Sequence, residues 1–219
     1  MNRLRLFWNL AIGKKIIMAV TGLIWVAYLI THMLANLLVF QGPTRINAYS
    51  AFLHGTGGAL WVARLVLIAA LIFHVVAAMQ LAGQRYEARP VGYAGGRQPQ
   101  VSTWASRSIR WGGAVILLFL VFHLLHFTVG TAHPSFVDGD PYHNVAAAFQ
   151  SLPIVVLYLI AMAAVGLHLY HGVWSSGRSL GMSPPSPRPL RRSVALMLSV
   201  LIWLGFTVIP IAVYAGVVR

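Results

Sequence analysis

The 219-residue chain contains no cysteine and only three acidic residues, Glu87, Asp138 and Asp140. Without thiolates it cannot ligate an all-cysteine iron–sulfur cluster or carry a disulfide framework. Charged residues make up 9% of the chain, against roughly a quarter in an average soluble domain. A soluble globule is excluded by that shortage together with long uncharged runs. What remains is 58% hydrophobic, with a mean hydropathy of +0.75, and reads as an all-α integral membrane protein. The first apolar run has no small-residue cleavage site and is expected to be a retained span rather than a removed leader.

Periodicity and length place five membrane helices at roughly 16–40, 60–83, 109–130, 152–175 and 194–217, forming a single bundle domain over 1–219. Each covers the roughly 30 Å of a hydrocarbon core at 1.5 Å per residue. Pro210 falls near the end of the fifth and is a site for a kink. Sixteen Lys and Arg give a net charge of +13, which in a soluble protein would point to nucleic acid. Thirteen of the sixteen instead fall on one side of the spans: in the N-terminus, in the connection after the second helix, and in the connection after the fourth. Topology therefore accounts for the charge, with the N-terminus cytoplasmic and the C-terminus outside. The connections containing GYAGGRQPQ and GMSPPSPRP read first as solvated or headgroup loops, with a basic docking surface for a soluble subunit as the alternative.

Histidine is the residue that breaks the apolar pattern. His54, His133 and His143 fall in the outer connections, but six others lie inside spans: His32, His74, His123, His126, His168 and His171. An interhelical hydrogen bond accounts for any single one of them. It does not account for four consecutive helices carrying at least one each, while the fifth carries none. Depth sorts them. His74 lies eleven residues before Arg85, and His168 ten before Arg178, so both sit about 15 Å from the cytoplasmic surface. His32 lies seventeen residues past Lys15, and His123 thirteen past Arg110, so both sit about 20–25 Å from it. By the same count His126 matches the depth of His32 better than His123 does.

Paired imidazoles on facing helices, with no carboxylate in any span, describe bis-histidine haem better than a four-ligand zinc site. Gly22 and Gly113 each precede an outer-layer histidine by ten residues, at inner-layer depth, where a missing side chain gives a flat macrocycle room. Close helix packing explains the same glycines. Competing classes are a cytochrome b of another respiratory oxidoreductase, a haem-free anchor, and a transporter whose histidines relay protons.

The runs IGKKIIMAVTGLIWVAYLITHMLANLLVF and INAYSAFLH, with FHLLHF in the third helix and HLYHGVWS in the fourth, carry a specific resemblance. The chain resembles the five-helix cytochrome b membrane anchor of succinate:quinone oxidoreductases, the succinate dehydrogenase and fumarate reductase complexes. That resemblance implies two haems b, ligated by His32, His74, His123 and His168. It pairs His74 with His168 for the inner haem and His32 with His123 for the outer. In the third helix the motif, not depth, selects His123, and His126 and His171 become neighbours of the ligands. The resemblance also implies a quinone, menaquinone in preference to ubiquinone, with Asn47, His54 and Arg64 as candidates for its pocket near the outer haem. The same three residues read equally as interfacial polar groups and a snorkelling arginine. A cytoplasmic flavoprotein and an iron–sulfur subunit are the implied partners, with membrane lipid around the bundle and room for a higher oligomer of the whole complex. The implied location is the bacterial cytoplasmic membrane. Some relatives place an acidic residue beside the fourth-helix ligand; this chain has none there, which speaks against a carboxylate proton relay.

Overall fold

A computed structural model describes residues 2–87, 104–182 and 189–219 of the chain. Among the described residues every regular element is helical. Five helices are long and apolar enough to span a membrane: α2 (Ala11–Asn36), α4 (Gly58–Glu87), α5 (Trp104–Leu124), α7 (Leu152–Ser179) and α8 (Pro189–Tyr214). Among the described residues three short helices, absent from the hydropathy pattern, accompany them: α1 (Arg3–Asn9), α3 (Pro43–Gly55) and α6 (Pro141–Ala148). They escape a hydropathy reading because they are polar or brief. The GYAGGRQPQ connection and most of the proline-rich one lie outside the described residues, so their role as a docking surface is not addressed.

The α2 helix ends in a 3-10 turn (Leu37–Gln41), and α5 ends in a π-helical turn (Leu125–Val129). Gly130 closes the π turn at φ 85, where a Cβ would also meet the Phe136 ring at 2.5 Å. Pro210 does not end α8, which continues through it to Tyr214. In a membrane helix the carbonyl that proline frees is tolerated far better than in an exposed soluble helix.

Helices α2, α7 and α8 pack together as the centre, with α4 against α2 and α5 against α7. Ala161, Met162, Val165, Leu169 and Ile202 form the buried seam at mid-bundle. By contrast α4 and α5 scarcely touch. A crevice of about 250 Å³ between them is lined by Leu71, Val75 and Val76 on one side and Leu117 on the other. The exposed faces are Leu, Ile, Val and Phe, as lipid requires: Leu65, Ile72, Phe73 and Leu118 are all more than half exposed.

One end of the bundle is basic and carries α1, Arg85, Arg178 and Arg192; the other is capped by α3, α6 and the C-terminus. The cap is polar, and its helices are joined by side-chain hydrogen bonds. Asn47 on α3 donates to Asp140 Oδ1 at 2.9 Å and accepts from the Tyr142 amide at 3.1 Å. Asp140 is also the N-cap of α6, accepting from the His143 amide at 3.0 Å. These donors hold the Asp140 carboxyl below the usual carboxylate range, the His143 amide contributing most. Its stabilisation is therefore present above about pH 3.9, the unfolded value, and is lost as pH falls through the lowered folded value. Replacing Asp140 with alanine removes both the helix cap and the link to α3. It is expected to cost about 1 kcal/mol locally, read as faster hydrogen exchange of the α6 amides with exchange in α7 unchanged.

Candidate functional site

Four histidines from four helices meet in two pairs. His74 on α4 faces His168 on α7, with ring centroids 6.2 Å apart. His32 on α2 faces His123 on α5 at 6.0 Å. Two imidazoles bound to opposite sides of one metal ion, with metal–nitrogen bonds of about 2.0–2.1 Å, have centroids about 6 Å apart. The spacing of both pairs thus leaves room for one metal atom each. Among the described residues no three metal-ligating side chains cluster, so the donors come in twos.

The levels of the pairs follow from their neighbours. Thr21 on α2 touches His74, and eleven residues further along the same helix stands His32. Tyr158 on α7 touches His123, and ten residues further stands His168. At 1.5 Å per residue both counts put the layers about 15 Å apart. Counting from basic residues in the sequence gives a smaller separation, of about 5–10 Å. Basic side chains are poor depth markers because their stems bend towards polar surroundings. Lys14, beside the Lys15 used in that count, is itself only 4% exposed and donates to the Asn9 carbonyl at 3.2 Å.

The pair nearer the basic end is held by small residues and one hydroxyl. Thr21 donates to the Ile17 carbonyl at 2.7 Å, so its oxygen accepts from His74 Nδ1 at 3.1 Å. That hydrogen bond leaves His74 Nε2 with its lone pair, the form a metal requires. A Cβ on Gly22 would stand 3.3 Å from His74 Cε1, and one on Gly113 would stand 3.7 Å from His168 Cε1. Each glycine thus opens space at a histidine, on a helix that does not supply that pair. Beside His168 a crevice of about 230 Å³ runs along α5 and α7, walled by Gly112, Ala163, Ala164 and Leu167. The His168 Nδ1 atom is buried without a hydrogen-bond partner. His171 lies towards the basic end, its ring edge-on to Trp174, which carries Arg178 and Arg192 against its faces at 5.3 and 4.8 Å.

Aromatic rings surround the other pair. His32 stacks on Tyr28 at 5.2 Å and meets Phe206 at 5.8 Å. His123 lies against Phe119 and Phe127, both at 5.7 Å. His126 does not face His32. It is fully buried between the Phe122 ring at 5.1 Å and the His133 ring at 4.9 Å. His126 lies within the π turn that begins at Leu125, and such turns recur at functional sites.

The three quinone candidates have different partners. Asn47 is spent on the α3–α6 cap, and His54 is exposed and bonded to the Ser50 carbonyl at 2.8 Å. Arg64 rests on the Trp61 ring at 5.0 Å and lies near Tyr28, so it reaches the surroundings of His32 through that stacked ring. Thr21 and Tyr158 were not singled out from the sequence. The signal was available, since a hydroxyl deep in an apolar span needs a partner, but a threonine can satisfy itself on its own helix and a tyrosine can reach an interface.

The residues fit a bis-histidine haem in each layer: paired imidazoles about 6 Å apart in both, with glycines and an apolar crevice beside the inner pair and aromatic rings around the outer. Comparison with known proteins adds one match. A model of the succinate dehydrogenase/fumarate reductase transmembrane subunit family matches residues 87–209, 123 of the 219 residues. No curated protein and no solved structure gives a match to the chain. The matched stretch contains His123, His168 and HLYHGVWS but not the N-terminal GKK block, His32 or His74.

Proposed function

Since the chain belongs to the succinate dehydrogenase/fumarate reductase transmembrane subunit family, we propose that it is the dihaem cytochrome b anchor of such a complex. The observation that carries the proposal is the pair of two-histidine sites, each about 6 Å across and one above the other in a five-helix membrane bundle. In this reading His74 and His168 hold the inner haem b, and His32 and His123 the outer. Bound there, the two groups supply one-electron transfer between the iron–sulfur subunit and a membrane quinone, menaquinone in preference to ubiquinone. The basic end faces the cytoplasm, where the flavoprotein and iron–sulfur partners dock.

The chain's own residues have defined tasks. Thr21 fixes the His74 tautomer so that Nε2 is the ligating atom. Gly22 and Gly113 keep the space beside the inner ligands free of side chains. The Phe119, Phe127 and Phe206 rings exclude water from the outer ligands and lower the local dielectric, both of which tune a haem potential. Of the three quinone candidates we keep Arg64, whose cation acts on Tyr28, the ring stacked on His32. His171 stands at the partner-facing end, among cations, where an acidic group of the iron–sulfur subunit or a haem propionate meets it.

Absorption spectroscopy of the purified complex tests this reading. The expected result is a reducible b-type spectrum with two haems per copy of this chain. A ratio near one contradicts the two-layer assignment, and no haem at all leaves a plain membrane anchor.

A further inference from the structure

Tyr158 is an anomaly in a membrane span. It is 6% exposed and packed edge-on against Phe119 and Phe149, each at 4.9 Å, yet it carries a hydroxyl. That hydroxyl lies 2.9 Å from His126 Nδ1 and 3.3 Å from His123 Nδ1. It has a single proton, so it donates to one imidazole and accepts from the other. If His123 offers Nε2 to iron, its proton resides on Nδ1 and must be donated. Tyr158 then accepts from His123 and donates to His126 Nδ1. The proton of neutral His126 is thereby forced onto Nε2, which is the buried atom left without a hydrogen-bond partner. A buried N–H without an acceptor is unfavourable. Its presence is explained if the arrangement is dictated from the His123 end.

We propose that Tyr158 is a positioning residue for the outer ligand, heading a His123–Tyr158–His126 hydrogen-bonded chain that holds His123 in its ligating tautomer and raises its basicity. The inference rests on His123 being the outer axial ligand. An acceptor on Nδ1–H strengthens imidazole as a donor to iron. A more basic ligand favours the oxidised metal, so the chain lowers the potential of that one haem. In the other layer Thr21 stands at His74 Nδ1 while His168 Nδ1 is unpartnered; the Tyr158 hydroxyl bonds only His123 and His126, so its effect is confined to the outer layer.

The test uses the whole complex, purified with its partner subunits, and a redox titration followed by absorbance and electron paramagnetic resonance. Tyr158→Phe keeps the ring and its aromatic contacts while deleting the oxygen. Two haems should remain, with the potential of one raised. At a fixed solution potential the reduced-to-oxidised ratio of that haem should rise about tenfold, equivalent to 59 mV for one electron. The other haem should be unmoved. His126→Phe keeps the stack between Phe122 and His133 and should retain both haems, with a smaller shift, because Tyr158 still accepts from His123. Unchanged potentials and unchanged resonance spectra in Tyr158→Phe would overturn the proposal and leave Tyr158 a core residue. Loss of one haem in His126→Phe would overturn it differently, by making His126 the ligand. A wild-type complex without two haems defeats the dihaem assignment itself, before either variant is made.

Discussion

Replacing His168 with alanine is expected to remove one of two b haems, whereas replacing His171, three residues along the same helix, should leave both. The two positions look alike in sequence, HLYH in an apolar run, but they face different surroundings. His168 is 6.2 Å from His74 across the bundle, beside the opening left by Gly113. His171 faces Trp174 and, beyond it, Arg178 and Arg192. Under the proposed assignment the variant loses an axial ligand and with it the site, so electron transfer from succinate to quinone should fall by more than the roughly 10–100-fold typical of losing an outer partner. His171→Ala should act on partner binding or on the spectrum of the retained haem. The measurement is haem content per chain with succinate:quinone activity on the same sample. Two haems retained in His168→Ala would refute the assignment.

The second large effect is expected from a glycine. Gly22→Val places a Cβ 3.3 Å from His74 Cε1 and two further methyl groups beyond it, where the glycine now leaves space. Overpacking of that kind costs about 1–3 kcal/mol, and here it falls on the ligand of a single layer. The haem-to-chain ratio should drop from two towards one, with the outer haem spectrum intact. Gly83→Ala is the control, because nothing lies within 4 Å of a Cβ at that position. Gly22 also lies on α2, which packs closely on α4. If the glycine serves only that packing, the variant should lower thermal stability while keeping both haems in equal proportion. That outcome would remove Gly22 from the haem-binding argument.

Much of the architecture was readable from composition, because a membrane imposes simple rules. Apolar runs of sufficient length must be helices, and the five spans appear at the expected places, each within a few residues of its expected limits. The short helices α1, α3 and α6 were not readable, since they sit where polar and apolar residues mix and packing decides their conformation. The layered histidines were legible for a related reason. An imidazole in hydrocarbon stands out, and helical rise converts its position in the chain into depth.

Depth along one helix says nothing about the direction a side chain faces, and there the residues alone stopped short. In the third span the count favoured His126 as the partner of His32; in the folded chain His123 stands opposite His32 and His126 is enclosed by Phe122, His133 and Tyr158. A π turn begins at Leu125, and no local composition announces it. The same holds for Asn47. Its place at the outer end suited a quinone pocket, yet contact with Asp140, 93 residues away, gives it a structural task. The hydroxyls of Thr21 and Tyr158 became informative only when other helices brought His74, His123 and His126 within reach. The number of spans and the existence of two histidine layers are local properties, set by hydropathy and helical rise. Which histidine faces which, which ring nitrogen is left free, and the roughly 15 Å between layers depend on helix rotation and packing, and those are settled only by long-range contacts.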